Sequence, residues 1–178
     1  MRLFRRGGVW TGRRPPLPDE ARELLGLAVD DRVLAWSSLV GAGWAVATPA
    51  GLRAVLPTGT RLDRSWTDVD HVAWDRDSGM LAVWWIGRPH PVPLELAGES
   101  FLPEVVHERV RSSVVTSADA AVPGGRSVRV ALRKAADGTL LTQAAPTPGV
   151  RMTDPDVAAA VERARARLRD DAGLPPGV

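Results

Sequence analysis

A chain of 178 residues, 44% hydrophobic and 25% charged, suffices for one domain of ordinary size with a real core, plus an appendage. It contains no Cys, which excludes a disulfide framework, a thiolate metal site and a thiol nucleophile. The formal charge is only +2 and is unevenly spread: Arg2, Arg5, Arg6, Arg13 and Arg14 stand in the first 16 residues without an acid, so the remainder is mildly acidic and lacks the basic face of a nucleic-acid binder.

Residues 1–18 read as an Arg-rich arm ending in Pro15, Pro16 and Pro18. No apolar run follows the arginines, so a signal peptide is not the reading. Asp19 is placed to cap a short helix over 20–25, with Gly26 as its stop. The longest uncharged stretch, VLAWSSLVGAGWAVATPAGL, has the length of a transmembrane helix. Gly41, Gly43, Pro49 and Gly51 divide it instead into three strands, over 33–39, 44–48 and 52–56. A further short strand is expected over 61–65.

The clearest pattern follows. SWTDVDHVAW, then DRDSG, then MLAVWWI alternate with period two around an Asp/Ser/Gly cluster, which reads as a β-hairpin. Residues 91–96 form a short strand whose prolines suit a sheet edge. Ser100 is placed to cap a helix running to about 114, with Leu102, Val106, Val110 and Val114 on one face. Residues 116–125 read as a small-residue linker. Val128, Val130 and Leu132 then alternate with Arg129, Ala131 and Arg133 in a half-exposed strand; Asp137-Gly138 turns it, and 139–145 return. Asp154 caps a final helix with Pro155 in first position and Gly173 as stop. Its apolar stripe of Val157, Val161, Ala164 and Leu168 is narrow and is expected to dock near the hairpin of residues 126–145.

About seven short strands in meander followed by an amphipathic helix resemble the pleckstrin-homology-like superfold, and most closely the PH-like domains of uncharacterised actinobacterial proteins. The resemblance rests on the Gly-Trp-Ala-Val-Ala-Thr run at 43–48, the Gly-Leu-Arg-Ala-Val run at 51–55 and Trp66-Thr67-Asp68-Val69 before the hairpin, and it covers roughly residues 27–115. It implies an α+β fold: a partly open antiparallel β-barrel of about seven strands capped by a helix, over 19–115; the residues themselves add a flexible basic arm (1–18) before it and, outside the PH-like core, a hairpin-and-helix extension (116–178) packed on the barrel. It does not carry over phosphoinositide binding, because the matching loop, 37–43, has neither Lys nor Arg.

Individual residues point to no chemistry. His71 with Asp68, Asp70 and Asp75 lacks metal-ligand spacing, and in a regular strand His71 shares a face with Val69 and Ala73 while Asp70 points away. Asp75, Asp77 and Gly79 lack the carboxylate that would complete a calcium loop. His90 sits between two prolines, and His107 lies on a solvated helix face. No Gly-x-Ser-x-Gly elbow or phosphate loop occurs. Trp36, Trp44, Trp74 and one of Trp84 and Trp85 are expected in the core; the other faces outward, under the C-terminal elements or as an interface anchor. The resulting expectation is a non-catalytic, cytoplasmic interaction or scaffold module without a cofactor, whose partner is another protein rather than nucleic acid. The alternatives are peripheral, weak contact with an anionic membrane through the Arg-rich N-terminal arm, and a small-ligand-binding barrel or enzyme that uses the barrel interior. The candidate interaction residues are Arg2, Arg5, Arg6, Trp10, Arg13, Arg14 and Trp84.

Overall fold

In the computed structural model, which describes residues 16–175, the alternating segments become ten strands and three helices among the described residues. The first sheet is an antiparallel meander of β1 (Ala35–Ser38), β2 (Trp44–Ala47), β3 (Gly51–Val55) and β4 (Arg61–Ser65). Gly51 is required at its bend, because a Cβ there would lie 1.9 Å from the Arg64 carbonyl oxygen. None of the described helices is long and apolar enough to cross a membrane.

A single 3-10 turn, Trp66–Asp68, leads to the second sheet: β5 (Val69–Asp75), β6 (Met80–Trp85) and β7 (Val92–Glu95). The β5–β6 turn works as its composition implies. Gly79 takes φ +68°, the Asp77 amide donates to Asp75 Oδ1 at 3.0 Å, and the Ser78 hydroxyl donates to Oδ2 at 2.6 Å. β7 lies at the edge and touches the end of β1 through a Leu39–Leu96 bridge, where the Val40 amide donates to the Glu95 carbonyl at 2.9 Å.

The two sheets and α2 (Leu102–Ser113) share one core. Leu52 from the first sheet, Leu81, Val83 and Leu94 from the second, and Leu102 and Val106 from the helix are fully buried together, with Trp66 and Trp85. Trp66 is fixed by its indole Nε1, which donates to the Thr48 carbonyl at 2.9 Å. Ser100 accepts from the Leu102 amide at 3.0 Å and donates to the Trp36 carbonyl at 2.7 Å, so it tethers the helix start to β1. The sheets do not close into a barrel, and these side chains pack together between them. Ala21 of α1 (Asp19–Leu24) and Leu25, which caps its end, pack with Leu17, Val46, Trp36 and Trp44 in a separate cluster. The expected cap is absent: Asp19 is the first helical residue, Pro18 holds the cap position, and no side chain caps it.

The C-terminal part differs from expectation in one element. Residues 116–125 are not a linker; they contribute to β8 (Val114–Val122), which runs directly out of α2 and pairs along its length with β9 (Arg126–Lys134). β10 (Leu140–Pro146) pairs with the other side of β9, so the hairpin is a three-stranded sheet. The small residues Ala120 and Ala121 give β8 weak intrinsic preference, and cross-strand pairing supplies what propensity does not. α3 (Pro155–Asp171) begins as read, with Asp154 accepting from the Asp156 amide at 3.0 Å. Its Val157, Val161, Ala164 and Leu168 pack on Ala120, Val122, Val128 and Val130 of β8 and β9.

Candidate functional site

Strand β9 divides its side chains between two environments. Val128 and Val130 face α3, while Arg129, Ala131 and Arg133 point to the opposite side of the sheet. On β8, Ser117 stands opposite Ala131 and Asp119 opposite Arg129. This second face does not lie open. Together with Asp70 of β5 it lines a cleft of about 310 Å³ at the junction of the N-terminal body and the C-terminal sheet, with Val114, Ser117, Ala118, Asp119, Arg129, Ala131 and Arg133 as the other lining residues.

Two β-bulges shape the cleft. In β8 the register slips between Val114 and Thr116, which leaves Val115 as the extra residue, half-exposed. In β5 the register slips between Val69 and His71, and Asp70 is the extra residue. This bulge overturns the face assignment made from regular alternation. Val69 pairs with Trp85 and is buried, yet His71 pairs with Trp84 on the outer side. Asp70, instead of pointing away, meets His71: its Oδ2 lies 2.8 Å from Nδ1. The imidazole in turn stacks on Trp84, with ring centroids 4.4 Å apart and planes 14° from parallel. Trp84 is thus the outward member of the Trp84–Trp85 pair, half-buried, and its stacking partner comes from its own hairpin rather than from the C-terminal elements.

Arg133 is the unusual residue. It is only 4% exposed. Its Nη1 donates to the Trp66 carbonyl at 3.3 Å and to Ser113 Oγ at 3.1 Å, which ties the C-terminal sheet to the body. Its Nε is buried without a hydrogen-bond partner, Nη2 makes no hydrogen bond to the described residues, and no Asp or Glu among them forms an ion pair with it. Burial lowers its pKa below the ordinary arginine value and nearby Arg129 adds to this, while Asp70 and Asp68 act in the opposite direction. The guanidinium stays charged nonetheless. A cation held out of water with no carboxylate in direct contact is costly.

A second hollow differs at Arg53. It measures about 250 Å³ between the end of α1 and strands β3 and β4, and of its two arginines, Arg53 and Arg61, the first is paired: Arg53 Nε donates to Asp63 at 3.1 Å, and Nη1 lies 3.7 Å from Asp31. Among the described residues no cluster of His, Asp and Glu is arranged to hold a metal. His90 and His107 are exposed. Ser117, the hydroxyl in the cleft, has no hydrogen bond from a histidine. The cleft therefore offers charge and hydrogen-bond donors for binding and no activated nucleophile.

Of the candidate interaction residues, Trp84 stands beside this site through His71 and Asp70. Arg2, Arg5, Arg6, Trp10, Arg13 and Arg14 lie outside the described residues. Arg133, Arg129 and Asp119 were missed. The pattern V-R-V-A-L-R marks Arg133 as belonging to the second face of a strand, but its burial depends on Trp66 and Ser113, far away in sequence. Comparison with protein-family models, curated proteins and solved structures returns no match to this chain, so fold and site define it only as an α+β protein with an open, mixed-charge cleft.

Proposed function

We propose that this protein is a non-catalytic protein-interaction module and that its partner is held across the junction of the body and the C-terminal sheet. The observation that carries this reading is that Asp70 belongs to two features at once: it lines the cleft and it fixes the His71–Trp84 stack. One continuous surface thereby joins an aromatic anchor, of the kind that dominates interface energetics, to a pocket with unpaired positive charge. The PH-like organisation of residues 19–115 belongs to the same proposal. It is supported by two antiparallel sheets and a following helix on one core, a scaffold that leaves its outer faces and loops free for contact.

A photo-crosslinking residue at exposed Ala118 in the cleft, compared with one at exposed Arg163 on α3, tests the reading in the producing cell. A protein captured at 118, absent at 163 and lost on Trp84→Ala is the expected result. Equal capture at both positions, or none at 118, would overturn it.

A further inference from the structure

We propose that the cleft selects a carboxylate, presented by an acidic side chain of the partner and gripped by the Nε–Nη2 edge of Arg133, over a phosphate. The inference rests on the interaction reading above and names the chemistry that the cleft recognises.

A guanidinium has five N–H donors in a fixed planar fork. At Arg133 the Nη1 corner is occupied by the Trp66 carbonyl and Ser113 Oγ. What remains is Nε, buried and without a partner, and Nη2, without a bond to the described residues. These two nitrogens form one edge of the fork, and their parallel N–H bonds match the two oxygens of a carboxylate. The side chain cannot swing away to find water, because it is held at Nη1 and is only 4% exposed. The fork is thus set in place before anything binds, which lowers the ordering cost of association.

The neighbouring charges choose between anions. Arg129 adds a second cation to the lining, but Asp70 and Asp119 add two carboxylates, so the cleft has little net charge to offer. A phosphorylated side chain brings nearly two negative charges and would meet both aspartates. A carboxylate brings one, which a single unpaired guanidinium matches. Asp119 stands opposite Arg129 in the β8–β9 register and therefore tempers the cation that a phosphate would need most.

The test follows the Arg133 Nε–H signal in nitrogen-15 spectra of the full chain during titration with capped Gly-Glu-Gly, capped Gly-phosphoSer-Gly and sodium acetate. The expected result is a saturable shift with the glutamate peptide at an affinity about tenfold or more above that of the phosphopeptide and of acetate. Arg133→Lys, which keeps the charge and loses the fork, should weaken the glutamate peptide about tenfold, read on the Ala118 amide. Asp119→Asn, on the exposed part of β8, should narrow the gap between the two peptides. A phosphopeptide that binds as well as the glutamate peptide overturns the carboxylate assignment and leaves the interaction reading standing. Acetate binding as tightly as the peptide overturns the partner-borne source. If none of the three moves the signal, the cleft as a recognition site falls with the carboxylate.

Discussion

The N-terminal body and the C-terminal sheet solve the same problem with different means. The body encloses its core between two sheets and α2 and fills it with large side chains: Leu52, Trp66, Leu81, Trp85, Leu94 and Leu102. The C-terminal sheet is covered by a helix on one face, and its core is built of Val122, Val128, Val130, Val157 and Val161 with three alanines and a single leucine, Leu168. Smaller side chains remove less apolar area from water, so the C-terminal unit is expected to be the weaker of the two. The face away from α3 is the one that carries Arg129 and Arg133 and lines the cleft with Asp70 of the body. The strongly packed region thus acts as the support, and the lightly packed one supplies the charged wall of the cleft.

This difference is sharpest at Trp66. Its side chain is 5% exposed in the body core, its indole is bonded to Thr48, and its carbonyl accepts from Arg133. Trp66→Ala should cost about 3–5 kcal/mol, because the cavity lies where neighbours from two sheets cannot collapse into it. Urea denaturation checks this, and a midpoint unchanged from the parent would show that the indole is not a core anchor. The corresponding change in the other region, Leu168→Ala, should cost about 2–3 kcal/mol, near the lower end for leucine, since the alanines around it leave little packing to lose. Its effect should also be local. Amide exchange should quicken in β8, β9 and α3 while β5 and β6 keep their protection. Equal quickening in both regions would mean that the two unfold as one unit, and the comparison would fail.

Arg133 should behave in the opposite way. Removing a buried group normally leaves its partners unsatisfied, but here both have a second bond: the Trp66 carbonyl also accepts from the Val69 amide, and Ser113 Oγ also donates to the Val110 carbonyl at 2.7 Å. Replacing an unpaired buried cation with an apolar side chain of similar length relieves its desolvation. Arg133→Met should therefore keep the stability within about 1 kcal/mol of the parent or raise it. A loss as large as that of Leu168→Ala would show that the residue serves the fold and not a ligand.

Much of this architecture was legible in the sequence because it is local. The hairpin of β5 and β6, the Gly79 turn and the capped start of α3 each depend on residues a few positions apart, and alternation with turn chemistry describes them. What alternation could not supply were the breaks in alternation. The bulge at Asp70 shifts His71 onto the face of Trp84, and nothing in V-D-H-V-A-W announces it. β8 resembles a linker because Thr116, Ser117, Ala118 and Ala120 are small, and it becomes a strand only when β9 pairs with it. The site was the least legible part, since Arg133 acquires its character from contacts with Trp66 and Ser113 across the fold.

The smallest expected effects lie at the two hairpin turns, one in each region, where an exposed aspartate accepts from the chain that follows it. The Ser78 hydroxyl and the Asp77 and Ser78 amides hold the Asp75 carboxyl below the usual range, and the amide and hydroxyl of Thr139 do the same for Asp137. A carboxyl whose pKa is depressed on folding binds fewer protons in the folded state. Its contribution is therefore present above the ordinary aspartate value, about pH 4, and is lost as the pH falls through the lower folded value. Asp75→Ala and Asp137→Ala should each melt slightly below the parent at pH 7, and the difference should close by about pH 2. Asp75, whose carboxyl accepts from the amides of two following residues and a hydroxyl where Asp137 accepts from the amide and hydroxyl of Thr139 alone, should show the larger difference. Melting curves taken between pH 7 and pH 2 read this directly. A difference that persists undiminished at pH 2 would show that the turns need the shape of the aspartate and not its charge.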